Sequence, residues 1–394
     1  MLKRIFLGLV VLLILGAAAF FTFAPGYVER SQNPVAMPAE GWPVSDEAAS
    51  LHRELVIGDW HADSLLWDRD LLKRGGRGHT DFPRLLEGNV ALQVYTTVTK
   101  SPRGQNYDQN SAGAPDNITP LFMGQLRPVR SWFSLRERAL VQAENLQRMA
   151  EEAPELLRII RTRGDLAELL ADRAGGERVL GVMLGSEGGH PLEGDLANLD
   201  VLYDAGFRLM GLTHFFDNEL GGSLHGEGGS GAGLTEFGHQ VVAAMMEKGM
   251  VIDLAHASPQ MVEDVLAIEG TRPILSHTGI HEQCASHRNL QDALVKRIAD
   301  KGGVIGIGYW ADVVCGRTPA DIAAAIRAAI ALVGEDHVSL GSDYDGSVGV
   351  PFDAAHLSAL TQALMDAGLS KPQIAKVMGG NMMRYLADIL PSGT

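Results

Sequence analysis

Beyond residue 50, short apolar runs recur along the chain: LVIGDW (55–60), VALQVYTTV (90–98), RVLGVMLG (178–185), FRLMGLT (207–213), MVIDLA (250–255), RPILS (272–276), GVIGIGY (303–309) and HVSLGS (337–342). They are continuous rather than alternating, the pattern of parallel strands covered on both faces. Between them, LANLDVLYDAG, LTEFGHQVVAAMMEKG, SPQMVEDVLAIEG and PADIAAAIRAAIALVG carry a helical period, and each closes on a glycine suited to a helix end. Strand and helix alternate about eight times, which predicts an α/β fold, a closed (β/α)8 TIM barrel, with a doubly wound open sheet as the alternative. No GxGxxG loop follows the first run, so a dinucleotide-binding fold has little support.

Two stretches break the rhythm. Residues 99–132 are polar with scattered Pro and Gly and predict a loop overhanging the barrel mouth. The glycine-rich stretch 221–233 reads as a mobile lid or a plain surface loop.

The N-terminus follows another pattern. Lys3 and Arg4 precede an uncharged apolar run from Ile5 to Phe23, long enough to span a bilayer and longer than a usual secretory core. Pro25 and Gly26 stop the run, and Ala17 to Ala19 offer a cleavage site. Residues 1–24 are therefore expected to be a signal anchor or a signal peptide, and 25–48 a linker lifting the domain off the membrane. The barrel is expected over 49–390. The positive charge before the run places the N-terminus in the cytoplasm and the rest of the chain outside it, anchored or exported.

The composition is that of a globular protein, 46% hydrophobic and 21% charged, with a formal net charge of −15. Such acidity argues against nucleic acid as a partner. The two cysteines, Cys284 and Cys315, form no Cys-x-x-Cys pair, which excludes a cysteine zinc site. Two buried thiols are the favoured reading, with a disulfide as the alternative if the chain is exported.

Chemistry in an α/β barrel sits at the carboxyl ends of the strands. Here predicted strands end in Asp59-Trp60-His61-Ala62-Asp63, in Glu187, in His214, in His256, in His277 and in Asp343. His-x-Asp on an extended strand points both side chains to one side, so His61 and Asp63 can grip one ion. His256 and His277 can grip a second, and Glu187 has two oxygens with which to bridge them. Imidazole and carboxylate suit zinc, with manganese or another divalent ion as alternatives. A single histidine at a strand end is more often structural, but ligand types at so many strand ends make that reading untenable for the set. His52, His79, His239, His337 and His356 fall on predicted helices, turns or strand starts and read as structural, whereas His190, His225 and His281 lie near the mouth and stay open.

The segments DWHADSLLW, GVMLGSEGGHPLE, GFRLMGLTHFFDN, GLTEFGHQVVAAMMEKGMVIDLAHAS, PILSHTGIHEQCASHRNLQD, GSDYDG and GGNMMRYL run in order from about residue 55 to about 387. Together they resemble the membrane dipeptidase family, the renal dipeptidase-like M19 metallopeptidases of the amidohydrolase-like barrels. The resemblance implies a zinc-dependent dipeptidase with two metal ions. It implies His61 and Asp63 as ligands of one ion, Glu187 as the bridge, and His256 and His277 as ligands of the other. His214 resembles the histidine that contacts substrate and steadies the oxyanion, Arg288 the arginine that binds substrate, and Asp343 the acid–base residue. The family often has His-Asn-Asp at the first motif, where this chain has His61-Ala62-Asp63; the middle residue is not a ligand. Homodimers are common in the family. The alternatives are a related binuclear amidase or lactonase acting on N-acyl or D-amino acid substrates, and a non-enzymatic surface binding protein.

Overall fold

The computed structural model describes residues 2–228 and 231–393. Gly229 and Ser230, the centre of the glycine-rich stretch read as a lid, lie outside the described residues.

Nine strands are described: β1 (Ile57–Ala62), β2 (Val90–Val98), β3 (Leu157–Ile159), β4 (Leu180–Glu187), β5 (Phe207–Gly211), β6 (Val251–Asp253), β7 (Leu275–Thr278), β8 (Ile305–Ile307) and β9 (Val338–Leu340). All pairings between them are parallel, in the order β6-β5-β4-β2-β1-β9-β8-β7. The ring closes where Asp253 bridges Ile274, with Leu254 N–H donating to Ile274 O at 2.9 Å. Sequence reading missed β3, a three-residue strand whose Arg158 and Ile159 are half-buried. It lies beside the start of β4 and outside the ring, along the edge that β5 takes over further up.

The predicted helices form at Ala197–Asp204, Glu236–Lys248, Pro259–Ala267 and Pro319–Val333. The last begins with a reciprocal cap between Thr318 and Asp321, which satisfies backbone N–H groups that have no partner inside the helix. The amino end of the barrel is plugged by the closing helix Asn381–Ile389. Its Met382, Tyr385 and Leu386 form one buried cluster with Leu92, Val251, Ile274 and Val304, which lie in or just before the first turns of their strands. Gly58 permits this approach, since a Cβ there would lie 2.6 Å from the Met382 sulfur. With that end closed by apolar packing, the open, polar end is the carboxyl end.

The N-terminal helix departs from expectation. It runs from Leu2 to Gln32, through Pro25, rather than stopping at Pro25 and Gly26. Residues beyond it are not a free spacer either: Ala36 N–H donates to Val350 O at 2.8 Å and Trp42 Nε1 to Pro351 O at 2.9 Å. The apolar part of the helix is exposed, with Leu13 at 75% and Phe6 at 69%. An exposed uncharged helix of this length has the composition of a membrane span.

The cysteines also depart from the favoured reading. Cys284, in the loop after β7, and Cys315, at the end of a short helix after β8, form a disulfide with their Cα atoms 5.4 Å apart. Adjacent strands bring the two loops together, a proximity that their separation of 31 residues hides.

Candidate metal centre

Each predicted ligand is placed by the end of a strand. His61 lies in β1 and Asp63 just after it, Glu187 is the last residue of β4, and His277 lies in β7. His214, His256 and Asp343 follow β5, β6 and β9 by three residues each. All seven are buried.

Glu187 is the hub. Its Oε1 lies 3.2 Å from His256 Nε2, 3.4 Å from His277 Nε2 and 3.4 Å from His61 Nε2, while its Oε2 lies 3.3 Å from His214 Nε2. His61 Nε2 is 3.6 Å from Asp63 Oδ1 and 4.0 Å from Asp343 Oδ1. Donor atoms of His61, Asp63 and Asp343 lie within 4.8 Å of one another, as do those of Glu187, His214 and His256 and those of His61, Glu187 and His277.

The donor chemistry fits divalent metal. The Ser276 hydroxyl donates to Asp253 Oδ2 at 2.6 Å, so its oxygen accepts from the imidazoles, with His277 Nδ1 at 2.8 Å and His61 Nδ1 at 3.2 Å. The ring protons are then on Nδ1, and the Nε2 lone pairs point into the cluster, the tautomer a ligand needs. His256 Nε2 and His277 Nε2 approach to 3.1 Å, a juxtaposition of lone pairs that a shared cation resolves.

Electrostatics agree. Burial, together with the Arg288 charge, holds His256 well below the usual imidazole range; burial, His61 and Arg288 do the same to His277. Burial would lower His61 too, but Asp63 and Glu187 outweigh it and hold His61 well above that range. Burial would raise Glu187, but His214 and His61 keep it well below the usual carboxylate range. Burial pushes Asp343 well up, against His61 and with Asp63 and Glu187 adding to it. Two buried carboxylates, Asp63 and Glu187, thus draw positive charge onto the imidazole between them, the demand a metal ion meets.

Arg288 is 1% exposed and lines the same cavity. Its guanidinium donates to the carbonyl oxygens of Ala255 at 2.6 Å and His277 at 2.8 Å, has His256 Nε2 at 3.3 Å, and lies over the Trp310 ring, 5.7 Å from its centroid. The cavity encloses about 540 Å³ including its open mouth and is also walled by Tyr107, Phe215 and Trp310.

Several of these residues escaped the sequence. Thr96 Oγ1 donates to Asp63 Oδ1 at 2.5 Å from within the carboxyl-terminal part of β2, where an apolar-run reading gives no signal. Ser276 stands directly before His277 in the SHTG segment and Asp253 three residues before His256, so adjacency to ligands could have marked them. Tyr107 comes from the long loop and accepts from Trp310 Nε1 at 3.1 Å, a contact with no sequence signature. Of the histidines left open, His225 packs against the site, its ring stacked on Phe215 and its Nδ1 2.9 Å from Tyr107 O. His190 is buried against Phe216, and His281 lies in the loop after β7.

Comparison with known proteins identifies the family of the chain. The profile of "Membrane dipeptidase (Peptidase family M19)" matches residues 45–390. The chain is 27% identical to Dipeptidase aclJ of Aspergillus oryzae, over 94% of this chain and 86% of that protein. It is 26% identical to Dipeptidase 3 of Mus musculus, over 87% of this chain and 66% of that protein. Among solved structures, a metallo peptidase from Rhodobacter sphaeroides, liganded with a phosphinate mimic of the dipeptide L-Ala-D-Ala, shares the fold with a TM-score of 0.68 at 23% identity. That match covers 85% of this chain and 99% of that one. An amidohydrolase from Pseudomonas aeruginosa matches with a TM-score of 0.67 at 19% identity, over 87% of this chain and 99% of that one. The chain belongs to the membrane dipeptidase family, peptidase family M19, and is a metal-dependent dipeptidase.

Proposed function

We propose that this dipeptidase works outside the cytoplasm with two divalent ions, zinc being the ion its imidazole and carboxylate donors suit. His61 and Asp63 would hold one ion, His256 and His277 the other, and Glu187 both. Bound there, the ions would acidify a water molecule to a nucleophile at neutral pH and polarise the scissile carbonyl.

The protein's own groups do the rest. Asp343, buried beside the cluster with its Oδ1 4.0 Å from His61 Nε2, takes the proton of the attacking water and hands it to the leaving amine. His214, beside Glu187 Oε2, steadies the developing oxyanion. Arg288 holds the free carboxylate of the substrate. One observation carries the dipeptide reading: a buried guanidinium beside the donor cluster has carbonyl and imidazole partners and the face of Trp310, and no carboxylate paired with it, among the described residues. A buried cation lacking an anion is costly, and a substrate carboxylate supplies one. The reach from Arg288 to the cluster then limits the substrate to a short peptide.

The exposed apolar helix supports an anchor or signal, and the disulfide supports an oxidising compartment. The test is a panel of L,L- and L,D-dipeptides, N-acyl amino acids and lactones, assayed with zinc-loaded and chelator-stripped protein. Metal-dependent cleavage of dipeptides is expected. Cleavage of lactones or N-acyl amino acids without dipeptides would overturn the substrate assignment.

A further inference from the structure

The loop that carries Asp343 is held in an unfavourable shape. Asp343, Asp345 and Ser347 have φ of 59°, 63° and 63°. Non-glycine residues in this left-handed region cost about 1 kcal/mol or more each, so the shape persists only where its surroundings impose it. Part of that support comes from the segment that follows β1: Asp345 accepts from His79 N–H at 2.6 Å and from Ser64 Oγ at 2.5 Å, and Asp63 N–H donates to Tyr344 O at 2.8 Å.

The remainder comes from the base of the N-terminal helix. Glu29, in the last turns of the N-terminal helix, is 1% exposed and pairs with Arg69 and Arg77. Arg69 in turn pairs with Asp345 Oδ2 at 2.5 Å. Asn33 accepts from Ser347 N–H at 2.9 Å, and Pro34 O accepts from Val350 N–H at 3.1 Å. Residues 29–36 therefore grip the loop at Asp345, at Ser347 and at Val350, two to seven residues beyond Asp343.

We propose that Glu29 is a positioning residue, which acts through Arg69 and Asp345 to hold the Asp343 loop in its catalytic shape. The base of the membrane-directed helix is then part of the active-site scaffold rather than a passive tether. Any maturation that keeps full activity cuts before Glu29. The kinetic part of this proposal rests on the Asp343 role given above.

The test uses the full-length chain in detergent with L-Ala-D-Ala as substrate. Glu29→Gln is expected to lower kcat about tenfold with KM changed less than about twofold, because a loop shifted by a fraction of an ångström misplaces the acid–base group without altering substrate capture. Asp345→Asn is expected to lower kcat at least as much. The double variant should be no slower than Asp345→Asn alone, since one effect passes through the other. Bound metal per chain should be unchanged. Asn33→Ala, which removes the bond to Ser347 and the Asn33 Nδ2 bond to Glu29 O but leaves the Glu29–Arg69 pair, gives a milder loss should Glu29→Gln fold poorly.

Hydrogen exchange reads the clamp without substrate: the amides of Ser347 and Val350 should exchange faster in Glu29→Gln while those of β4 do not. Unchanged kcat, or losses that multiply in the double variant, would overturn the proposal. If the wild type cleaves no dipeptide, the dipeptidase reading fails and exchange decides alone, unchanged protection at Ser347 and Val350 overturning the clamp.

Discussion

Buried histidines occupy both ends of this barrel, and they are opposites. At the amino end, His52 leads into β1 and meets Gly88, which precedes β2. Its Nε2 lies 3.0 Å from the Gly88 carbonyl and its Nδ1 2.8 Å from Thr361 Oγ1. Both ring nitrogens have ordinary neutral partners, so the ring is complete as it stands. At the carboxyl end, His61 and His277 spend Nδ1 on the Ser276 hydroxyl and turn Nε2 toward Glu187. Burial alone does not separate a ligand from a structural residue. What separates them is whether the second nitrogen has a partner that closes its hydrogen bonding or a cluster that leaves a charge to be supplied.

The largest effect expected from that contrast is at the hub. Glu187→Gln should lower kcat/KM about 10³-fold or more and reduce bound metal, while the far-ultraviolet circular dichroism of the barrel stays intact. A variant that kept its metal and most of its activity would erase the distinction between the two ends. Next comes Arg288→Ala, for which a loss of about 3 kcal/mol, a hundredfold or more in kcat/KM, is expected on dipeptides. On dipeptides with an amidated carboxyl end, wild type and variant should differ little; an equal penalty on both would remove the carboxylate role.

The amino end should respond in stability instead. Burial pushes His52 down to about 4, against a small upward effect of its Gly88 bond. The unfolded chain therefore binds a proton at this site at higher pH than the folded chain does. Stability is unaffected above about pH 6.5 and is lost as pH falls toward 4, by up to about 3 kcal/mol in total. Denaturant unfolding across that window should show the slope, and His52→Gln should flatten it without altering kcat at neutral pH. The smallest effect is expected from the loop that overhangs the mouth. Tyr107→Phe removes the acceptor of the Trp310 indole, and a rise in KM of about fivefold, near 1 kcal/mol, should follow with kcat little changed.

The chemistry was legible in the sequence for a physical reason. A parallel barrel writes its strands as continuous apolar runs, so Glu187, His214, His256 and Asp343 stand out as the ionisable residues that come within two positions of each run's end. The His61-x-Asp63 spacing follows from the two-residue repeat of a strand, and the structure sets those side chains 3.6 Å apart. What was not legible depends on distant contacts. The reading stopped the first helix at Pro25, yet the helix continues to Gln32, and its base is buried on Arg69. The pairing of Cys284 with Cys315 depends on β7 lying beside β8, which sequence spacing does not encode. Thr96, Ser276 and Tyr107 are polar residues within or between elements, and only the closed barrel shows that they face the ligands.

The most direct measurement is a metal titration of the chelator-stripped, full-length chain, with dipeptide turnover and bound metal followed together. Activity should be absent without metal and should rise to its maximum as about two equivalents of zinc are taken up, with Glu187→Gln binding less and staying inactive. Full turnover in the stripped protein, or saturation with metal that leaves dipeptides uncleaved, would contradict the assignment of this cluster as the catalytic centre.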